Sequence, residues 1–104
     1  MFLREYLTEL EYEILCNKYD DDFIVQIDRN NFHSIYTLFI NCGFYFVKDL
    51  IIKNLEIFSL DIEIISDAIY NLSRKYGNDY IYFIGRNLNI LDEEITNVLE
   101  KITE

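Results

Sequence analysis

Hydrophobic positions recur along this chain at the spacing of helix faces. Leu3, Leu7, Leu10 and Ile14 share one face, which Phe2, Tyr6 and Leu15 widen. Thr8 and Glu11 have the spacing of a capping box, which would divide this segment into two short helices. Phe23, Ile24 and Ile27 predict another short helix, started by Asp20, Asp21 or Asp22. Asn30 or Asn31 is positioned to cap a third helix through Ile35, Leu38 and Phe39, and Gly43 suits the left-handed position after it. In FYFVKDLIIKNLEIF the expected core residues are Phe46 or Val47, Leu50, Ile51 and Leu55. Ser59 or Asp61 then caps IEIISDAIYNLSRKY, with Ile62, Ile65, Ala68, Ile69 and Leu72 inward. Arg74 and Lys75 fall in its last turn, where cations meet the negative helix end, and Gly77 stops it. Asn78 or Asp79 opens DYIYFIGRNL, and Asp92 caps EEITNVLEKI, with Leu91 beside Ile95.

Two windows, DFIVQI and YIYFIG, are rich in β-branched and aromatic residues and also suit strands. Each follows a helix-end signal and precedes a capping residue, and no hairpin dipeptide flanks them, so both are expected to be helical. They belong to a repeat. KYDDDFIVQIDRN (residues 18–30) and KYGNDYIYFIGRN (residues 75–87) match at seven of thirteen positions. A weaker echo sets Lys53-Asn54-Leu55 against Arg86-Asn87-Leu88. Helix pairs that cannot bury their faces alone stack on a neighbouring pair. The expected fold is all-α, a compact array of about six short helices with an internal helical-hairpin repeat. With no proline, three glycines and no linker, residues 1–104 are expected to form a single domain.

The chain is 51% hydrophobic, too apolar for disorder, yet no run approaches the roughly 20 apolar residues of a membrane span. The start, MFLREYLTEL, carries Arg4, Glu5 and Glu9 where a leader would be apolar, so no signal peptide is expected. Cys16 and Cys42 sit among apolar neighbours. They are expected to be a reduced, cytoplasmic pair, with a disulfide left open by sequence alone. Net charge is −10, and its distribution is uneven. Residues 1–28 carry an excess of six negative charges and residues 89–104 an excess of four, while residues 29–88 are balanced. A field of one sign repels phosphate backbones and attracts basic partners.

Reaction chemistry is hard to find. His33 is the only histidine, so no relay or shared metal ligand is at hand, and a surface or capping role is expected. A calcium loop would need alternating oxygens and a turn glycine, which DDDFIVQIDRN lacks, so no metal is expected at Asp20, Asp21 and Asp22. There is no phosphate loop, paired-cysteine zinc pattern, nucleophile elbow or dinucleotide fingerprint. The expectation is a binding protein without cofactor, not an enzyme, and the dispersed bases argue against a nucleic-acid partner. Nine tyrosines beside many acids remain. Tyrosine anchors interfaces, and exposed carboxylates pair with a partner's Arg or Lys. The candidate contact residues are Tyr19, Asp20, Asp21, Asp22, Asp28, Asp92, Glu93 and Glu94.

In size, acidity, lack of proline and absence of enzymatic motifs, the chain resembles the small all-helical immunity proteins of bacterial toxin systems, including contact-dependent growth inhibition. The resemblance implies a cytoplasmic protein that neutralises one basic toxin, most naturally a nuclease, by occluding its positive cleft. It rests on whole-chain character, so no functional residue is carried over. Two alternatives stand beside it. One is a viral inhibitor that mimics nucleic acid and acts on a host defence or transcription enzyme. The other is a helical adaptor with an apolar contact surface.

Overall fold

The computed structural model describes residues 2–103. Among them are seven α-helices and three 3-10 segments, and no strand. The helices are α1 (Glu9–Lys18), α2 (Asp21–Val25), α3 (Arg29–Cys42), α4 (Val47–Lys53), α5 (Ile62–Tyr76), α6 (Tyr80–Arg86) and α7 (Asn89–Thr103). The 3-10 segments are Phe2–Glu5, Leu55–Ser59 and Gly77–Asp79. None of the described helices is long and apolar enough to cross a membrane.

The capping box at the chain start is real, and it changes which side chains are buried. Thr8 Oγ1 accepts from the Glu11 N–H at 3.2 Å, and Glu11 Oε1 accepts from the Thr8 N–H at 2.8 Å. Helical phase is therefore reset at Thr8. Leu3 and Leu7 are buried before it, but Leu10 (67% exposed) and Ile14 (46%) face outward, contrary to the sequence expectation. Leu15 takes the inward position instead, flanked by half-buried Tyr12, Cys16 and Tyr19. Those carboxylate bonds, with Lys48 nearby, lower the Glu11 pKa. The cap's contribution is thus present at neutral pH and is lost as pH falls through the lowered value. Replacing Thr8 by alanine is expected to cost about 1 kcal/mol in urea unfolding at pH 7. An unchanged midpoint would show that α1 does not depend on its box.

Two other helix starts differ from expectation. Asp28, not Asn30 or Asn31, caps α3, its Oδ2 accepting from the Asn31 N–H at 2.8 Å. The Asn31 side chain is committed elsewhere, donating to the carbonyls of Phe58 (2.9 Å) and Leu60 (2.8 Å). Asp92 does not cap α7. That helix begins at Asn89, whose N–H donates to Asn87 Oδ1 at 3.2 Å, and Asp92 lies inside the first turn. At α2, Asp20 is the N-cap by backbone geometry, without a side-chain cap bond. Asp61 caps α5, accepting from the Glu63 N–H at 3.0 Å. Gly43 has φ +88° at the α3 end, a conformation that L side chains rarely adopt, while a Cβ there would meet nothing nearer than 3.8 Å. Backbone, not space, selects glycine at that position.

One apolar core runs from Leu3 to Val98. α5 and α7 pair along their length, through Ile65, Ala68, Ile69 and Leu72 on one side and Leu91, Ile95 and Val98 on the other. In the other half, α3 brings Phe32, Ile35 and Phe39 onto the Leu55–Ser59 segment. A chain of ring contacts links Phe2, Phe32, Phe58, Phe39, Phe44 and Phe46, with successive centroids 5.4, 4.7, 5.6, 5.3 and 4.8 Å apart. No polar or charged side chain among the described residues is buried, so the acidic excess lies on the surface.

Each copy of the repeat joins a helix end to a short helix, through Tyr19-Asp20 in the first copy and the Gly77–Asp79 segment in the second, and both DFIVQI and YIYFIG are mainly helical. Arg29-Asn30 opens α3, whereas its counterpart Arg86 ends α6. Ile27 and its counterpart Ile84 are both buried. The copies differ in packing: α5, α6 and α7 lie on one another, whereas α1 packs on α4.

Candidate functional site

The first copy's turn is fixed by Tyr19. Its ring stacks on Phe23, with centroids 5.4 Å apart. Its hydroxyl accepts from the Leu55 N–H at 3.0 Å and donates to Glu56 Oε2 at 2.7 Å, with the Lys53 carbonyl at 3.0 Å as the other acceptor. Tyr19 is therefore a strut between the α1–α2 turn and the chain after α4, not a free contact tip. Burial, and then the bond to Glu56, push its pKa well above the ordinary tyrosine value, and the Asp92 carboxylate adds to the rise. Asp92 thus lies within electrostatic reach of Tyr19, which brings one acid of the C-terminal group towards the N-terminal group.

The expected contact residues divide. Asp20, Asp21 and Asp22 are exposed and take part in no ion pair among the described residues. Asp20 also lines a shallow depression of about 390 Å3, together with Lys18, Tyr19, Phe23 and Glu56. Asp92 is half-buried near this corner, and Glu93 is exposed. Asp28 is occupied as the α3 cap, and Glu94 accepts from Asn71 Nδ2 of α5 at 3.2 Å. Sequence alone gave no reason to include Glu56, which belongs to a charge-balanced stretch and joins the corner only through Tyr19.

A second feature adjoins the corner across Lys18. A cleft of about 430 Å3 is lined by Lys18, Asp49, Lys53, Asn54, Gly85, Arg86, Asn87, Leu88 and Asn89. Lys18, Lys53 and Arg86 are the last residues of α1, α4 and α6, so three helices end here, each on a cation. Lys18 Nζ donates to the Lys53 carbonyl, which is an open acceptor of the α4 end. Arg86 Nη1 donates to Tyr82 Oη at 3.0 Å. The Lys53-Asn54 and Arg86-Asn87 echo in the sequence thus meets itself in space.

No family model, curated protein or solved structure matches this chain. Function has to be argued from these surfaces.

Elsewhere the side chains serve packing. His33 joins the start of α3 to the N-terminal segment through Tyr6, whose hydroxyl lies 2.7 Å from Nδ1, and its Nε2 lies 3.5 Å from Thr37 Oγ1. Cys16 and Cys42 are free thiols, both half-buried, and burial raises the pKa of Cys42.

Proposed function

We propose that this protein is an inhibitory binding protein of the immunity type. It captures a cationic protein partner, a toxin nuclease domain in the cytoplasm, on the corner formed by Asp20, Asp21 and Asp22 with Glu56 and Asp92. The observation that carries this reading is that the three aspartates are exposed on a turn pinned from inside by Tyr19, with no lysine or arginine paired to them among the described residues. A nuclease cleft must be positive to hold phosphate, and unneutralised carboxylates on a rigid support attract it without ordering cost. Charge steering of this kind raises association rates by factors of roughly 10–1000 and fades with salt.

Replacing Asp20, Asp21 and Asp22 together by asparagine is expected to slow association about tenfold or more at low salt, with dissociation much less affected. The measurement is stopped-flow association, at several salt concentrations, with a basic toxin nuclease domain that the wild-type protein is first shown to bind. Association at the wild-type rate would overturn the assignment of this corner. An adaptor reading is favoured by one observation, the exposure of Leu10 and Ile14 on α1. It requires affinity to fall when these two become serine and to be indifferent to salt.

A further inference from the structure

We propose that the cleft where α1, α4 and α6 end is a binding site for a phosphoryl anion of the diphosphate kind, taken up free or as part of a nucleotide. The cleft holds several unengaged side-chain donors, although Lys18 Nζ is spent on the Lys53 carbonyl and Asn54 Nδ2 on Glu56 Oε1 at 3.3 Å. Neither Lys18, Lys53 nor Arg86 forms an ion pair among the described residues, where the two ion pairs are Arg29–Glu5 and Lys48–Glu11. Asn87 Oδ1 is held by the Asn89 N–H, which fixes the amide orientation and leaves its NH2 group to donate. The side chains of Lys53 and Asn89 make no hydrogen bond within the described residues, and Arg86 uses one nitrogen, on Tyr82. Asp49 is the single carboxylate in the wall, and it lies beyond ion-pair distance of all three cations. An anion with many acceptor oxygens fits such a donor set, with arginine and lysine supplying the charge-assisted bonds.

Cations at helix ends commonly serve only to offset the negative end, so the balance of charge decides. Counting each helix end as about half a charge, three cations and the α7 N-terminus outweigh Asp49 and three C-termini by about one positive charge. The net −10 of the chain opposes an anion at long range, but is screened beyond about 8 Å at physiological salt. Contact donors therefore prevail inside the cleft, with modest affinity. Two exposed tyrosines, outside the lining, each touch a lining residue. Tyr45 lies over Gly85, where an added Cβ would collide with its ring, and Tyr82 holds Arg86. These rings offer a face to a base if the diphosphate arrives on a nucleotide.

The test is an NMR titration of the full chain with pyrophosphate, following the side-chain amides of Asn87 and Asn89. Saturation at one site is expected with a dissociation constant of about 0.1–1 mM. Lys53→Gln and Arg86→Gln should each weaken binding roughly tenfold or more. Lys75→Gln, at the repeat counterpart of Lys18 and outside the cleft, should leave it unchanged. Binding of ADP tighter than pyrophosphate identifies a nucleotide as the source, and equal or weaker binding identifies free diphosphate. No saturable shift with either probe, shifts that survive both glutamine variants, or equal binding of citrate would overturn the proposal. None of these outcomes depends on a protein partner, so they leave the immunity reading to its own experiment.

Discussion

Replacing Phe58 by alanine is expected to remove about 3–5 kcal/mol of folding stability. Phe58 is fully buried at the junction of the ring contacts, stacked on Phe32 and edge-on to Phe39. Its backbone cannot readily move to fill the void, because the Asn31 amide holds the Phe58 and Leu60 carbonyls in place. The cost is therefore the lost transfer energy together with most of a cavity term. A domain of this size has only about 5–15 kcal/mol to lose, so the midpoint of thermal unfolding should fall by roughly 15–30 °C. Phe83, which is 40% exposed on α6, provides the contrast. Phe83→Ala should cost about 1 kcal/mol or less. Equal losses at the two positions in urea unfolding would show that the ring chain does not organise the core.

The sequence pattern is legible where local and tertiary preferences agree. α5 carries a capping aspartate, an unbroken inward stripe, cations in its last turn and a terminal glycine, and it runs from Ile62 to Tyr76 as those signals require. The chain start is misleading because one hydrophobic period spans two helices of different phase. Leu10 and Ile14 continue the rhythm of Leu3 and Leu7, but the turn at Thr8 rotates them outward. The strongest capping residue also deceives in α7, where the core needs Leu91 inside the helix and Asn87 supplies the first bond. The candidate site was legible only as charge. Asp20, Asp21, Asp22 and Asp92 could be found in the sequence as charges, but Glu56 joins them only through its hydrogen bond to Tyr19, a contact that no local pattern encodes. The cationic cleft had one visible trace, the shared Lys/Arg-Asn-Leu ending of α4 and α6, whose convergence with Lys18 depends on the packing of three helices.

Tyr19→Phe is expected to cost about 1–3 kcal/mol at neutral pH, a large effect for one oxygen atom. The ring would keep its stack on Phe23, but the Leu55 N–H would lose its acceptor, and Glu56 would lose the donor at Oε2 and keep only Asn54 Nδ2 at Oε1. Leu55 is fully buried, so water cannot easily replace the hydroxyl there. The same hydroxyl governs behaviour in alkali. Its folded pKa is raised above the ordinary 10.0, by burial first and Glu56 second, so the unfolded chain ionises first. The stabilisation is whole below the unfolded value and is lost as pH rises from about 10 towards the folded value. Burial raises Tyr6, Tyr12 and Tyr80 in the same direction, so an alkaline decline persists in the variant, but it should be shallower. Urea unfolding of both proteins from neutral pH to about pH 11 measures the difference. Parallel declines would mean that Tyr19 ionises as freely in the folded chain as in the unfolded one. The strut would then not hold the turn that carries Asp20, Asp21 and Asp22, and the rigid support of the acidic corner would be gone with it.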